Sequence, residues 1–222
     1  MTKVKICGIR QLDHALAAAQ AGADYIGLVF VPQRHRRVEA DAAREIVSGL
    51  KASGSKADGE NVPRVVGLFA GQPVKEVNNV VKTCGLDLVQ LCGAESLEYA
   101  QQMKAPVIKV VHVPGSNVAD WNDLAASIQA FRTAGHLVAL DRQADGLQGG
   151  TGQNFDWDIA AKLSGRGQEF FLAGGLSPDN VARAVAQVHP WGVDVSSGVE
   201  TDGEKDPDKI RAFVENAKQR DG

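Results

Sequence analysis

Residues 4–30 read VKICGIRQLDHALAAAQAGADYIGLVF. A short, almost wholly apolar run, Val4 to Cys7, is followed by an amphipathic stretch from Leu12 to Ala21 and then by a second apolar run, Tyr25 to Phe30. Continuous apolar runs suit strands buried on both faces of a parallel sheet, whereas the stretch between them carries the 3.6-residue period of a helix. Gly22 stands just past Ala21, where a helix stops readily because glycine takes the left-handed conformation without a Cβ penalty. The segment predicts one strand-helix-strand unit.

The same pattern continues along the chain. Further apolar runs lie at Arg64 to Phe69, Leu88 to Leu91, Val107 to Val111, Leu137 to Asp141, Phe170 to Ala173 and Gly192 to Val195. Amphipathic stretches follow each strand, at Glu39 to Leu50, Val74 to Cys84, Ser96 to Met103, Trp121 to Ala134, Phe155 to Leu163, Pro178 to Gln187 and Asp208 to Lys218. Ser177-Pro178 predicts the start of the seventh helix, serine as cap and proline at the first helical position. Eight units in 222 residues average about 28 residues each, which suits an α/β fold of the (β/α)8 barrel type in a single domain spanning 1–222. An open doubly wound sheet is the competitor, but Cys7-Gly8-Ile9-Arg10 lacks the glycine fingerprint expected after its first strand. Lys51 to Asn61 is polar and reads as a solvated connection on the face away from chemistry. The longer stretches Val31 to Val38 and Arg142 to Asn154 fall at the C-terminal ends of strands, where barrel enzymes place their sites.

Composition narrows the function. With 24 basic and 27 acidic residues the net charge is −3, which disfavours a nucleic-acid partner. No apolar run approaches the ~20 residues of a membrane helix, and the first residues lack the apolar block of a signal peptide, so a cytoplasmic protein is expected. Cys7, Cys84 and Cys92 form no Cys-x-x-Cys pair, and His14, His35, His112, His136 and His189 are scattered without metal-ligand spacing. A disulfide framework and a structural metal site are therefore not expected.

Three glycine-rich turns follow late strands: Gly149-Gly150-Thr151-Gly152, Gly174-Gly175 and Ser196-Ser197-Gly198. Each could simply turn the chain. Placed together at the end of a barrel they make a phosphate cradle, because glycines let backbone N–H groups approach an anion. On strand one, Lys5 and Cys7 share a face, so Cys7 points inward at the rim above an inward Lys5 whose charge favours a thiolate. The alternative is a small core cysteine. Asp141 ends the apolar run of strand six, as a candidate acid or a cap. Asp194 lies inside an apolar strand and suits a supporting role, since an unpaired buried carboxylate is costly. Lys109 is either a Schiff-base lysine of an aldolase or a lysine ion-paired within the barrel. Arg34-His35-Arg36-Arg37 could be a solvated loop or could supply a bidentate clamp for a substrate carboxylate.

These residues resemble the phosphoribosylanthranilate isomerases of tryptophan biosynthesis. The resemblance covers nearly the whole chain and rests on Val4 to Ile9, Gly22 to Asp24 leading to Gly27 to Phe30, and Val89-Gln90-Leu91. It continues through Gly149 to Gly152 with Phe155 to Trp157, Gly174 to Leu176, and Val193 to Glu200. It implies a general acid-base isomerisation without a cofactor, on a small phosphosugar. Asp141 would be the acid, Cys7 the base and Arg36 the carboxylate ligand, with Arg34 and Arg37 close by. Gly150, Thr151, Gly152, Gly174, Gly175, Ser196, Ser197 and Gly198 would hold the phosphate, supported by Lys5 and Asp194. The family often has histidine where this chain has Cys92. A phosphosugar-binding barrel without catalysis is the remaining alternative.

Overall fold

The computed structural model describes residues 1–54, 62–113, 121–142 and 157–219. Eight parallel strands close into one barrel in chain order: β1 (Lys3–Cys7), β2 (Tyr25–Val29), β3 (Arg64–Phe69), β4 (Leu88–Leu91), β5 (Val107–Val113), β6 (Leu137–Arg142), β7 (Phe171–Leu172) and β8 (Gly192–Val195). β1 pairs with both β2 and β8, and the register Lys5↔Asp194 at that seam closes the cylinder. The helices outside are α1 (Leu12–Gln20), α2 (Ala40–Ser53), α3 (Val74–Cys84), α4 (Leu97–Ala100), α5 (Trp121–Thr133), α6 (Trp157–Ser164), α7 (Val181–Val188) and α8 (Pro207–Lys218). The expected (β/α)8 barrel is the fold that forms.

Strand side chains alternate between two cores. Outward residues such as Val4, Ile6, Val89, Leu91, Val193 and Val195 pack beneath the helices, while Cys7, Tyr25, Val66, Leu68, Leu88, Ile108, Val110, Ala139 and Phe171 fill the barrel. At the N-terminal end of the cylinder the rings of Tyr25, Phe171 and Trp191 close the bottom, with Phe171 meeting the other two edge to face at 5.4 and 4.9 Å. The open end therefore lies at the strand C-termini.

Two local expectations change. Ser177-Pro178 does not start α7: the helix begins at Val181, and the Ser177 N–H donates instead to the Asn180 side chain at 2.9 Å, making a turn of the residues between. After β8 the chain adds an unexpected excursion, a short 3-10 turn η1 (Ser197–Val199) and an antiparallel hairpin of β9 (Glu200–Thr201) and β10 (Glu204–Lys205). Of the polar segment Lys51 to Asn61, only its first four residues are described, and Lys51 to Ser53 extend α2. Among the described residues no helix is long and apolar enough to cross a membrane, and no group of three or more His, Cys, Asp or Glu is placed to hold a metal ion.

Candidate active site

A cavity of about 730 Å³ opens at the C-terminal end of the barrel. Inward alternation brings Cys7, Gln90, Asp141 and Asp194 to its wall from β1, β4, β6 and β8, and Cys92 and His112 join them at the rim. Cys7 and Asp141, named separately by the sequence, thus face one space. Gly27 makes room for the thiol, since a Cβ on that residue would lie 2.9 Å from the Cys7 sulfur.

Beneath Cys7, Lys5 Nζ donates to Asp194 Oδ2 at 2.8 Å, and both side chains are buried. Burial alone would lower the Lys5 ammonium, but Asp194 and the Cys7 sulfur raise it well above its ordinary value. The thiol behaves differently from the sequence expectation. Burial pushes Cys7 above its ordinary value, and Lys5, although it pulls toward the thiolate as expected, only offsets part of that cost. Cys92 is likewise driven up by burial, to about 12.

The arginines of this cluster take distinct positions. Arg37 pairs with exposed Glu39 and does not line the cavity, and Arg34 lines it but is exposed. Arg36 is half-buried, and its stem crosses Gly8, where a Cβ would lie 2.5 Å from the Arg36 Cδ. Its Nε and Nη2 donate to Glu200 Oε1 and Oε2 at 2.7 and 2.6 Å. A guanidinium carries five N–H donors, so this pairing leaves the Nη1 edge to clamp a second carboxylate. Burial opposes the Glu200 charge, but Arg36 and Lys205 overcome it and hold the carboxyl at about 2.

The glycine-rich turns after β7 and β8 interlock. Gly174 and Gly175 have φ of +88 and +71, a conformation glycine supplies, and a Cβ on Gly198 would collide with the Leu176 carbonyl. Gly174, Gly175, Ser196, Ser197 and Gly198 all line the cavity. Gly150, Thr151 and Gly152 lie outside the described residues.

Lys109 is not at the site. Its side chain points out of the barrel, where Nζ donates to the Gly93 carbonyl and meets Glu95 Oε2 at 3.1 Å, while Glu95 also accepts the Gly71 and Gly93 N–H groups. The lysine therefore ties the β3 and β4 rims to β5, and the expected ion pair lies outside the barrel rather than within it.

Two features escaped the sequence reading. Glu200 and Lys205 on the hairpin contribute buried charges, for which the only sequence signal was the acid closing Val193 to Glu200. His112 reaches the rim beside Asp141, its register partner, and shares a 3.3 Å hydrogen bond with the Cys92 carbonyl. Gln90 Oε1 and Asp194 Oδ1 are buried acceptors with no partner among the described residues, and both side chains line the cavity. A buried acceptor without a donor is costly unless a ligand supplies one, so the cavity suits a hydroxyl-rich molecule with a phosphate at one end and a carboxylate at the other.

Comparison with known proteins bears on that ligand. A family model for N-(5'-phosphoribosyl)anthranilate (PRA) isomerase matches residues 4–216. An N-(5'-phosphoribosyl)anthranilate isomerase of Dehalococcoides mccartyi is 42% identical over 224 aligned residues, covering all of this chain and 98% of its own. The crystal structure of phosphoribosyl anthranilate isomerase from Thermotoga maritima superposes with a TM-score of 0.82 at 33% identity, covering 98% of this chain and 99% of that one. A structure of such an isomerase in complex with reduced 1-(o-carboxyphenylamino)-1-deoxyribulose 5-phosphate gives a TM-score of 0.79 at 33% identity and the same coverage.

Proposed function

The chain belongs to the N-(5'-phosphoribosyl)anthranilate isomerase family, whose reaction serves tryptophan biosynthesis, and we propose that Cys7 and Asp141 carry that isomerisation here. The observation that carries the assignment is their convergence, from β1 and β6, on one cavity that also holds Arg36 and the β7 and β8 turns.

The substrate spans three subsites. Its phosphate lies on the backbone N–H groups of Gly174, Gly175 and Ser196 to Gly198, which line the cavity. Its anthranilate carboxylate takes the free edge of Arg36. The ribose hydroxyls donate to Gln90 Oε1 and Asp194 Oδ1, which otherwise lack donors.

Chemistry follows from that placement. Asp141, protonated, gives its proton to the furanose ring oxygen; the bond from that oxygen to C1 breaks, and the anilino nitrogen lone pair forms an iminium. Cys7 thiolate removes the C2 proton, and the electron pair of that bond moves toward the iminium nitrogen to give an enolamine. Tautomerisation then yields 1-(2-carboxyphenylamino)-1-deoxyribulose 5-phosphate. A thiol raised by burial forms less thiolate but a stronger base, and the Lys5 ammonium beneath it favours its charge. The residues act without a cofactor in this scheme. The chain works as a single domain in the cytoplasm, in keeping with its three free cysteines.

The test is turnover. Phosphoribosylanthranilate generated in situ from anthranilate and phosphoribosyl pyrophosphate should lose its fluorescence when the protein is added. Folded protein that leaves the signal unchanged contradicts the reading.

A further inference from the structure

The two charged ends of the substrate are held by different parts of the barrel, yet an unbroken chain of contacts joins them. From the carboxylate end, Arg36 is gripped through two donors by Glu200, at 2.7 and 2.6 Å. Glu200 Oε1 also accepts from Lys205 Nζ at 2.7 Å. Lys205 in turn donates to the Ser196 carbonyl at 2.8 Å, in the turn that follows β8, and approaches the Ser196 hydroxyl at 3.4 Å. That hydroxyl donates to the Cys7 carbonyl at 3.1 Å. The members are buried or half-buried: the side chains of Lys205, Glu200 and Arg36 are 2%, 8% and 21% exposed.

A second strand of contacts runs alongside. Arg10 pairs with Glu204 on the hairpin and donates to the His35 carbonyl at 3.3 Å, in the loop that carries Arg36. Lys209 at the start of α8 donates to the Glu200 carbonyl at 2.8 Å. The β9–β10 hairpin is therefore fastened to both the arginine loop and the turn at Ser196.

From this geometry we infer that Glu200 and Lys205 are positioning residues that couple the carboxylate end of the site to its phosphate end. The inference rests on the proposed function, which places the two substrate groups there. Glu200 fixes one edge of the guanidinium so that the other is presented to the ligand, and preorganisation of this kind lowers the ordering cost of binding. Lys205 is the strut: it touches no ligand group, but all its hydrogen bonds run to Glu200 and Ser196. Displacing either end disturbs the other because a buried charge triad has no solvent to replace a lost partner.

Coupling of this kind is read with truncated ligands. The probes are reduced 1-(o-carboxyphenylamino)-1-deoxyribulose 5-phosphate, its dephosphorylated form and its form lacking the carboxylate. Each is titrated into the wild type, Glu200→Gln and Lys205→Met. Lys205→Met, altered at the phosphate end, should weaken the dephosphorylated ligand about tenfold, and Glu200→Gln, altered at the carboxylate end, should weaken the ligand lacking a carboxylate about tenfold. Lys205→Arg, which keeps the charge and donors, should restore much of the loss. If each variant weakens only ligands bearing the group at its own end, or if either variant binds more tightly, the coupling does not exist. Should Lys205→Met not fold, Glu200→Gln with the ligand lacking a carboxylate decides the question alone. A wild type that isomerises substrate while the variants show no cross effect overturns this inference only; a wild type that neither binds the full probe nor turns over overturns the proposed function.

Discussion

Lys5 on β1 and Asp194 on β8 are register partners at the barrel seam, and their side chains form a buried ion pair at 2.8 Å one layer below Cys7. The pair places a fixed positive charge next to the proposed base while keeping both charges compensated. Asp194 retains one buried oxygen with no partner among the described residues. Lys5→Met would leave the carboxylate without its cation as well. Truncating one member of a buried pair costs roughly 3–5 kcal/mol, so denaturant unfolding should show a loss of that order. Iodoacetamide alkylation of Cys7 followed against pH should shift to higher pH in the same variant, because the cation that favours the thiolate is gone. An unchanged alkylation profile contradicts the proposed influence of Lys5 on Cys7.

Glu200 gives a pH-dependent stability with a definite sign. Its carboxyl is held at about 2 against an ordinary 4.5, so its contribution is fully present above 4.5 and is lost as pH falls toward 2. The shift corresponds to at most about 3–4 kcal/mol. Unfolding free energies of the wild type and Glu200→Gln should differ above that window and converge through it. A gap that stays constant down to the bottom of the window shows that the carboxylate charge is not what stabilises the clamp.

Gly8 is bound to its residue type by two independent constraints, a φ of +78 and the Arg36 stem against its face. Gly8→Ala should cost about 1–2 kcal/mol in backbone strain alone. Because the added methyl displaces Arg36, KM should rise more than kcat falls. Equal KM values in wild type and variant would show that Arg36 does not hold the substrate carboxylate.

Glu95 accepts the N–H groups of Gly71 and Gly93, at 2.7 and 2.9 Å, and pairs with Lys109. Burial opposes its charge, but the Gly71 N–H and the Lys109 ammonium help hold its carboxyl below the ordinary carboxylate range. Glu95→Ala should destabilise the protein by roughly 3–5 kcal/mol, since Lys109 remains buried and charged. Borohydride added during turnover should trap no adduct at Lys109. A trapped lysine adduct would mean Schiff-base chemistry and a different reaction.

Much of this arrangement was legible in the chain itself. Eight apolar runs separated by amphipathic stretches gave the barrel, because parallel strands covered on both faces cannot alternate. Side-chain parity then put Cys7 above Lys5 on the inner face, and Asp141 at the end of β6. The limits are equally physical. Ser177-Pro178 has good helix-start chemistry, yet the Asn180 side chain takes the Ser177 N–H and delays α7 to Val181. The sign of the Cys7 shift depends on how completely the barrel excludes water, which strand pattern does not report. Glu200 and Lys205 sit on a hairpin too short to leave a periodic signal, and their partner Arg36 is 164 residues away from Glu200 in sequence. The resemblance, rather than any local pattern, singled out Arg36 from Arg34 and Arg37, and its pairing with Glu200 is a contact that sequence spacing does not report.

The most direct test of the central claim is to separate binding from turnover in Cys7→Ala and Asp141→Asn. Both variants should fold, should bind the reduced product analogue about as tightly as the wild type, and should isomerise phosphoribosylanthranilate slower by a factor of about a hundred or more, the usual share of a general acid or base. Either variant retaining a wild-type rate while folded and binding normally would contradict the assignment of the base or the acid.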